Sequence, residues 1–442
     1  MAMRKESVES SSDKEDPPSI DVYKRRWVGL VGLILLNISA GMGWLWFAPI
    51  SVQASSQLGM SLTKINWLNN LVNLTYVPVS LLCIGASCVM VIGAWIRYSA
   101  TPRWLSPHSV HALLFLGQLG VGLAQPVFQV LAPKYSELWF DLKSRTTATA
   151  LISVANPFGG ALGELISPLI DNVRTSILIL AIINSVLGFG ALLISTGPPT
   201  PPTFSGSKPS VPMMEVLRAC VRRPRVGELV MNRQQSLDFF IVTLLFAVLV
   251  AGANSFFILV NQIFEPYGYS SDAAGNMGGA MIIAGLIGAF VAAPLIDRVF
   301  TRHLALTAKI IVPVLSVAWL SLIWDVRPNN YGGLYPVFVV LGVGSFVLLP
   351  VALEIGCEVT SSPETSSAVF WCAANALTVV FVELMDTMRA GPDAHPPRNM
   401  NRSLVFLGSL MMVSHVAVYG LTAHQTRRET DAAKASEAAM MA

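Results

Sequence analysis

Amide and carboxyl side chains set inside long apolar stretches are the groups of this chain that could do chemistry. Gln118, Gln125 and Gln129 stand seven and four residues apart, which places them on one face of a helix. Asn66, Asn69, Asn70 and Asn73 share a face in the same way, and Asn254 and Asn261 lie seven apart. Glu164 sits between Gly163 and Pro168 in a stretch with no other charge. Groups of this kind are costly in hydrocarbon and turn toward a bundle interior or a cavity. Two uses are open for the amides: a polar wall along a solute path, or hydrogen bonds that join helices. Glu164 also has two readings. It is an interior carboxyl that meets a cation or carries a proton, or a helix-end residue close to Asp171. Trp44 offers a π-face of the sort that holds cations, or it belongs to an interfacial aromatic belt with Trp46.

Covalent chemistry has no comparable set. The chain carries no GxxxxGKS/T loop, no HExxH and no GxSxG, so neither a nucleotide-driven pump nor a hydrolase is expected. Its five cysteines form no CxxC; four of them lie in apolar stretches, where cysteine acts as a small hydrophobe. His108 and His111 stand near a boundary without further ligands. No catalytic residue, metal site or cofactor is expected. A formal net charge of +3 over 442 residues is too small to suggest a nucleic-acid partner.

The elements that must hold these side chains are membrane helices. Hydrophobic residues make up 53% of the chain and charged residues 12%, with a mean hydropathy of +0.59. Soluble domains carry roughly 25% charge, so a polytopic protein embedded in a lipid bilayer is expected. Apolar stretches run from Trp27 to Ile50, His111 to Leu131, Thr147 to Ile170 and Ile177 to Ser195. After a Pro-, Gly-, Ser- and Thr-rich segment with a basic end they resume. Six more follow: Leu237 to Phe264, Asn276 to Leu295, Leu304 to Trp324, Leu334 to Cys357, Ser366 to Met385 and Leu404 to Leu421. Between Lys64 and Arg97 lies a block with no charge at all, too long for one comfortable span and too short for two with a loop.

Cytoplasmic ends collect Lys and Arg, and both the segment before Trp27 and the linker are basic. Both can be cytoplasmic only if the block is crossed twice, by two short helices. The expected organisation is a cytoplasmic tail over 1–24, a helical bundle over 25–195, a cytoplasmic linker over 196–234, a second bundle over 235–424 and a tail over 425–442. Arg389, Arg398 and Arg402 fall on the outer side in this scheme, against the usual bias.

Several segments resemble the major facilitator superfamily, and within it the FLVCR-related group of choline, haem and vitamin-type transporters. They include Trp44 with Phe47-Ala48-Pro49, Gly93-Ala94-Trp95-Ile96-Arg97, Gly117-Gln118, Ala124-Gln125-Pro126, Asn156-Pro157, Pro294-Leu295-Ile296-Asp297-Arg298 and Pro350-Val351-Ala352-Leu353-Glu354. The resemblance implies an all-α membrane fold of two bundles, nominally twelve transmembrane helices with the second and third shortened or merged. Members carry a Gly-x-x-x-Asp-x-x-Gly-Arg loop between those two helices; this chain lacks it between Leu82 and Cys83. The second-half counterpart survives as Asp297 and Arg298 with Arg302 nearby. The resemblance implies that Arg298 or Arg302 pairs with Glu358, and that Glu354 and Glu358 act as gate residues. Choline-type relatives use a Trp, a Gln and a Tyr to hold a quaternary ammonium. Trp44 and Gln125 match two of them, while the third position falls on Asn254, which has no π-face.

The sequence therefore points to a multi-pass secondary transporter with no enzymatic activity. It would be a monomer moving a small organic solute, cations among the candidates, by alternating access. Expected substrate-binding residues are Trp44, Gln118, Gln125, Gln129, Asn254 and Glu164. A plasma or vacuolar/lysosomal-type membrane is the expected location. The rival reading is a transport-defective member that acts as a sensor or partner, or the product of a shortened gene.

Overall fold

The computed structural model describes residues 24–74, 83–140, 145–195, 211–225, 228–295, 304–360 and 362–422. These form an all-helical molecule. Before the linker come α1 (Arg26–Leu45), α2 (Ser51–Leu58), α3 (Leu62–Leu74), α4 (Cys83–Ser99), α5 (Pro107–Trp139), α6 (Arg145–Ile166) and α7 (Val173–Gly188). A short α8 (Met213–Cys220) lies in the linker region. After it come α9 (Arg233–Phe264), α10 (Ser271–Leu295), α11 (Leu304–Asp325), α12 (Tyr331–Thr360), α13 (Pro363–Thr387) and α14 (Asn401–Ser414). Among the described residues, nine helical stretches are long and apolar enough to cross a membrane, and Ile84–Ser99 is a shorter apolar helix.

Local chemistry sets several helix starts. Ser106 accepts from the Ser109 amide at 3.2 Å ahead of α5, whose first residue is Pro107, a residue whose fixed φ suits that position. Asn172 caps α7 by accepting from the Arg174 amide at 2.9 Å. Asn232 and Gln235 form a reciprocal capping box at the head of α9, so the strongest start signal sits where the linker ends. At the other extreme, α2 stops at Gly59, whose φ of +65° is the left-handed conformation glycine tolerates best. The uncharged block holds α3 and α4, and residues 75–82 between them lie outside the described residues.

The helices gather into two groups. In the first, α1 lies along α6 and against α5, while α4 packs on α5 and α7. In the second, α10 and α11 pack on α12, α9 on α13, and α11 on α14. Glycines let backbones meet within each group. A Cβ at Gly41 would run into the Asn156 carbonyl, and one at Gly159 into that of Ile38, so α1 and α6 touch main chain to main chain. A Cβ at Gly342 would meet the Met281 carbonyl, which gives α10 and α12 the same intimacy. The second group has an aromatic centre in which Phe256 contacts Phe264, Trp319 and Phe338 with ring centroids 5.5–6.1 Å apart. The two groups meet where α6 packs on α10 and where α3 and α5 pack on α13.

A candidate solute cavity between the two helix groups

A cavity of about 130 Å³ opens between the groups and draws its wall from both. From the first come Trp44 of α1, Gln125 and Gln129 of α5, and Asn156 and Pro157 of α6. Facing them are Phe246, Asn254 and Phe257 of α9, Phe346 of α12, and Trp371 and Asn375 of α13. Among the described residues no Asp, Glu, Lys, Arg or His lines it.

The polar atoms on the wall are partly committed. Gln125 Nε2 donates to Asn156 Oδ1 at 3.4 Å, and Asn156 Nδ2 donates to the Asn37 carbonyl at 3.3 Å. Asn254 Nδ2 donates to Thr378 Oγ1 at 3.5 Å, and Asn375 Nδ2 to the Trp371 carbonyl at 2.8 Å. Two buried atoms stay without a partner among the described residues: the Trp44 indole Nε1 and Gln125 Oε1. Buried polar atoms are normally satisfied. A donor and an acceptor left open on the wall of one cavity are what a polar solute needs. The Phe246 ring stands edge-on to Trp371 with centroids 5.2 Å apart, so an indole faces the cavity from each group.

The remaining expected residues lie elsewhere. Gln118 is buried off the cavity: its Oε1 accepts from Arg97 Nη1 at 2.8 Å and its Nε2 donates to the Gly43 carbonyl at 3.1 Å. It holds a fully buried guanidinium in the first group. Glu164 is likewise off the cavity, enclosed at the contact of α6 with α10. Trp46 is buried and donates through Nε1 to Ser176 Oγ at 2.7 Å. Glu354 and Glu358 occupy the last two turns of α12, half-buried and buried respectively. Asp297, Arg298 and Arg302, and with them the expected ion pair to Glu358, lie outside the described residues.

A second polar cluster ties the groups together at one end. Gln262 Nε2 of α9 donates to Asn66 Oδ1 of α3 at 2.6 Å, and Asn70 Nδ2 donates to Glu383 Oε1 of α13 at 3.3 Å. Thr63 Oγ1 donates to Asp386 Oδ2 at 2.9 Å, and Arg389 bridges Asp386 and Gln262. This end is remote from the linker. The linker joins the start of α9 at Arg233, while Gln262 is near its finish; Val211 bonds Ser362 and Thr365 at the start of α13, while Asp386 is near its finish. The cavity wall extends the other way, to Val242 and Ala308 at the linker ends of α9 and α11. The amide row of α3 thus spends Asn66 and Asn70 on joining the groups.

A family model for the Major Facilitator Superfamily matches residues 33–381. The chain belongs to the major facilitator superfamily. Solute carrier family 49 member A3 of Danio rerio is 28% identical over 415 residues, covering 86% of this chain and 83% of that protein. The choline/ethanolamine transporter FLVCR1 of Felis catus is 25% identical, with 82% and 68% covered, and its FLVCR2 counterpart of Homo sapiens is 23% identical, with 84% and 73% covered. This facilitator is therefore FLVCR-related. Among solved structures, the nucleoside transporter NupG matches with a TM-score of 0.61 at 12% identity over 89% of this chain and 99% of that one. A transporter of the POT family, solved with 5-aminolevulinic acid, matches with a TM-score of 0.63 at 13% identity, covering 89% and 95%. The fold is that of the facilitators, and the protein is an integral, multi-pass membrane protein of a transporter family.

Three wall residues of this facilitator carry no prominent sequence signal. Asn156 stands out only as part of an Asn-Pro pair. Trp371 and Asn375 are one helical turn apart on α13, a spacing that puts them on one face. An amide in an apolar span four residues from an indole is the cue that would have found them.

Proposed function

We propose that this membrane protein is a secondary transporter that moves a small organic solute, neutral or singly cationic, by alternating access. The observation that carries the reading is one cavity walled by both helix groups, with, among the described residues, an open donor on Trp44, an open acceptor on Gln125 and no charged side chain. A multiply charged anion would lose its hydration there with nothing to replace it. A quaternary or primary ammonium would find the indoles of Trp44 and Trp371, whose faces attract cations. Two relatives bear the name choline/ethanolamine transporter, so choline and ethanolamine are the first solutes to try. Asn254 in place of a third aromatic weakens the cage and favours a solute that also uses an amide.

In this reading the tied end of the groups faces away from the cytoplasm. The linker end, both termini and the open side of the cavity face the cytoplasm, and the halves are 25–195 and 235–424. The protein acts as a monomer, since each chain supplies a whole cavity. The gradient of the solute itself or of protons drives it, in a plasma or vacuolar/lysosomal-type membrane.

The test is uptake of labelled choline and ethanolamine into proteoliposomes, paired with metabolite profiles of cells with and without the gene. Saturable uptake that falls in Trp44→Ala and Gln125→Leu supports the reading. No uptake, with profiles that do not change when Trp44 is replaced, sinks it.

A further inference from the structure

Glu164 is 0% exposed, and both carboxylate oxygens are without a hydrogen-bond partner among the described residues. It lies on α6 where that helix packs on α10, the seam between the two groups. Gly278 forms the floor of its seat, because a Cβ at that position would strike the carboxyl; Gly275 lies against its main chain. Among the described residues, no titratable group approaches it from a packed element. Between Trp27 and Leu45, α1 has none. On α10 the sole candidate is Asp272, exposed in the first turn. Beyond α6 stands Asp171, also exposed. On α5, His111 is set beside Lys64 of α3, while Lys134 and Tyr135 are near the opposite end of α6. On α12, Tyr331 and Tyr335 stack on each other, with Tyr331 also against Tyr269, and Glu354 and Glu358 are at the linker end.

An ionised carboxylate buried without partner or counter-charge is far costlier than its neutral acid. This seat therefore admits the acid. The seat also exists only while α6 and α10 are in contact at the end remote from the linker. Access from that end requires them to part.

We propose that Glu164 is a proton-binding site coupled to closure of the end remote from the linker. When α6 and α10 separate there, the carboxyl meets water and releases its proton. When they close, it takes one proton up, so each closure consumes one proton from that compartment. The site deepens the alternating-access reading, on which it rests, and gives Glu164 a role other than contact with solute.

The experiment uses the full chain in lipid nanodiscs, with its native cysteines replaced and spin labels at Asp171→Cys and Asp272→Cys. These two exposed positions lie beyond the end of α6 and in the first turn of α10, and replacing them removes the carboxylates closest in sequence to the seam. Distance distributions are recorded between pH 5 and 9 without solute. The ratio of open to closed molecules should rise about tenfold per pH unit over the titrating range, as one linked proton requires. With Glu164→Gln added, the tenfold-per-unit slope should be lost, leaving at most a weaker dependence from the Glu383 and Asp386 carboxylates of the polar tie at the same end. A ratio in the parent that ignores pH, or a slope that Glu164→Gln leaves unchanged, overturns the proposal. Infrared spectra of the parent protein, which need no Glu164 variant, give an independent readout. A protonated-carboxyl band that shifts with ¹³C-glutamate should be present under closing conditions and fade as the pH opens the protein; its absence throughout overturns the proposal. Choline uptake in the same variants is scored separately. A pH-linked seam with no uptake leaves Glu164 in place and counts against the transport reading alone.

Discussion

Gln118 and Gln125 share one helical stripe and one chemistry, yet they do different work. Gln125 keeps an open oxygen on the cavity wall, while Gln118 spends both ends inside the first group on Arg97 and Gly43. Their substitutions should separate cleanly. In the proposed transport reading, Gln125→Leu removes the open acceptor from the cavity wall and should raise the choline Kd by about two- to tenfold, since the choline hydroxyl makes a neutral hydrogen bond worth about 0.5–1.5 kcal/mol net, with only a small loss of thermal stability from the Asn156 side chain that loses its donor. Gln118→Leu strips the buried guanidinium of its side-chain acceptor and should destabilise by about 1–3 kcal/mol, seen as a lower unfolding temperature in detergent, with choline affinity unaltered in the molecules that remain folded. Trp44→Phe should retain most solute affinity and Trp44→Ala should lose about tenfold, in line with a cation–π contribution of about 0.5–2 kcal/mol. Spacing alone could not distinguish the two glutamines. Period identifies a face, whereas the identity of the neighbour on that face, here the Arg97 of α4, depends on how α4 and α5 cross.

At the level of the elements, helix contacts explain which parts of the fold were legible. Long apolar runs announce α1, α5, α9 and α11 directly, and the Pro- and Arg-rich change in composition marks the linker. The short α2 and α8 were not expected, because eight residues of mixed polarity give no span signal, and their place is decided by what they pack on. The main-chain contact of α1 with α6 depends on Gly41 and Gly159. Gly159→Val should force these helices apart and cost about 1–3 kcal/mol, the range for overpacking, with loss of monodisperse protein on size-exclusion chromatography as the readout. In α8, the Arg218 side chain hydrogen-bonds Glu228 and, with the Arg225 amide, holds the Glu228 carboxyl below its ordinary 4.5. A depressed pKa stabilises the folded form at pH above the unfolded value and loses that contribution as pH falls through the folded one. Proteolytic nicking of the 213–228 segment should therefore be constant from pH 7 to about 5 and increase below pH 4.5, and Arg218→Ala should abolish the step.

Across the whole molecule, the tie of Thr63, Asn66 and Asn70 to Gln262, Glu383 and Asp386 would, in the proposed transport cycle, set which end is shut. Replacing Asn66 and Asn70 together by Ala removes hydrogen bonds made only in the closed form. The double variant should shift the population toward opening at that end, detected as faster alkylation of a cysteine introduced at Asn375 by a membrane-impermeant reagent. Unchanged alkylation would mean that these bonds do not govern the closed state. The amide row on α3 was visible in the sequence, but its partners were not, since Gln262 and Glu383 are nearly 200 and over 300 residues away.

The uncharged cavity wall has an electrical consequence. In the proposed cycle an empty carrier whose cavity wall, among the described residues, holds no charge moves little charge along the solute path, so the resting voltage acts only weakly on the return step. Loaded with a monovalent cation, the same movement carries one elementary charge, on which the voltage acts with about 2.3 kcal/mol per 100 mV. Net cation flux would then be current-generating and rectified by polarity, while an uncharged solute of the same shape would cross the same cavity indifferent to voltage.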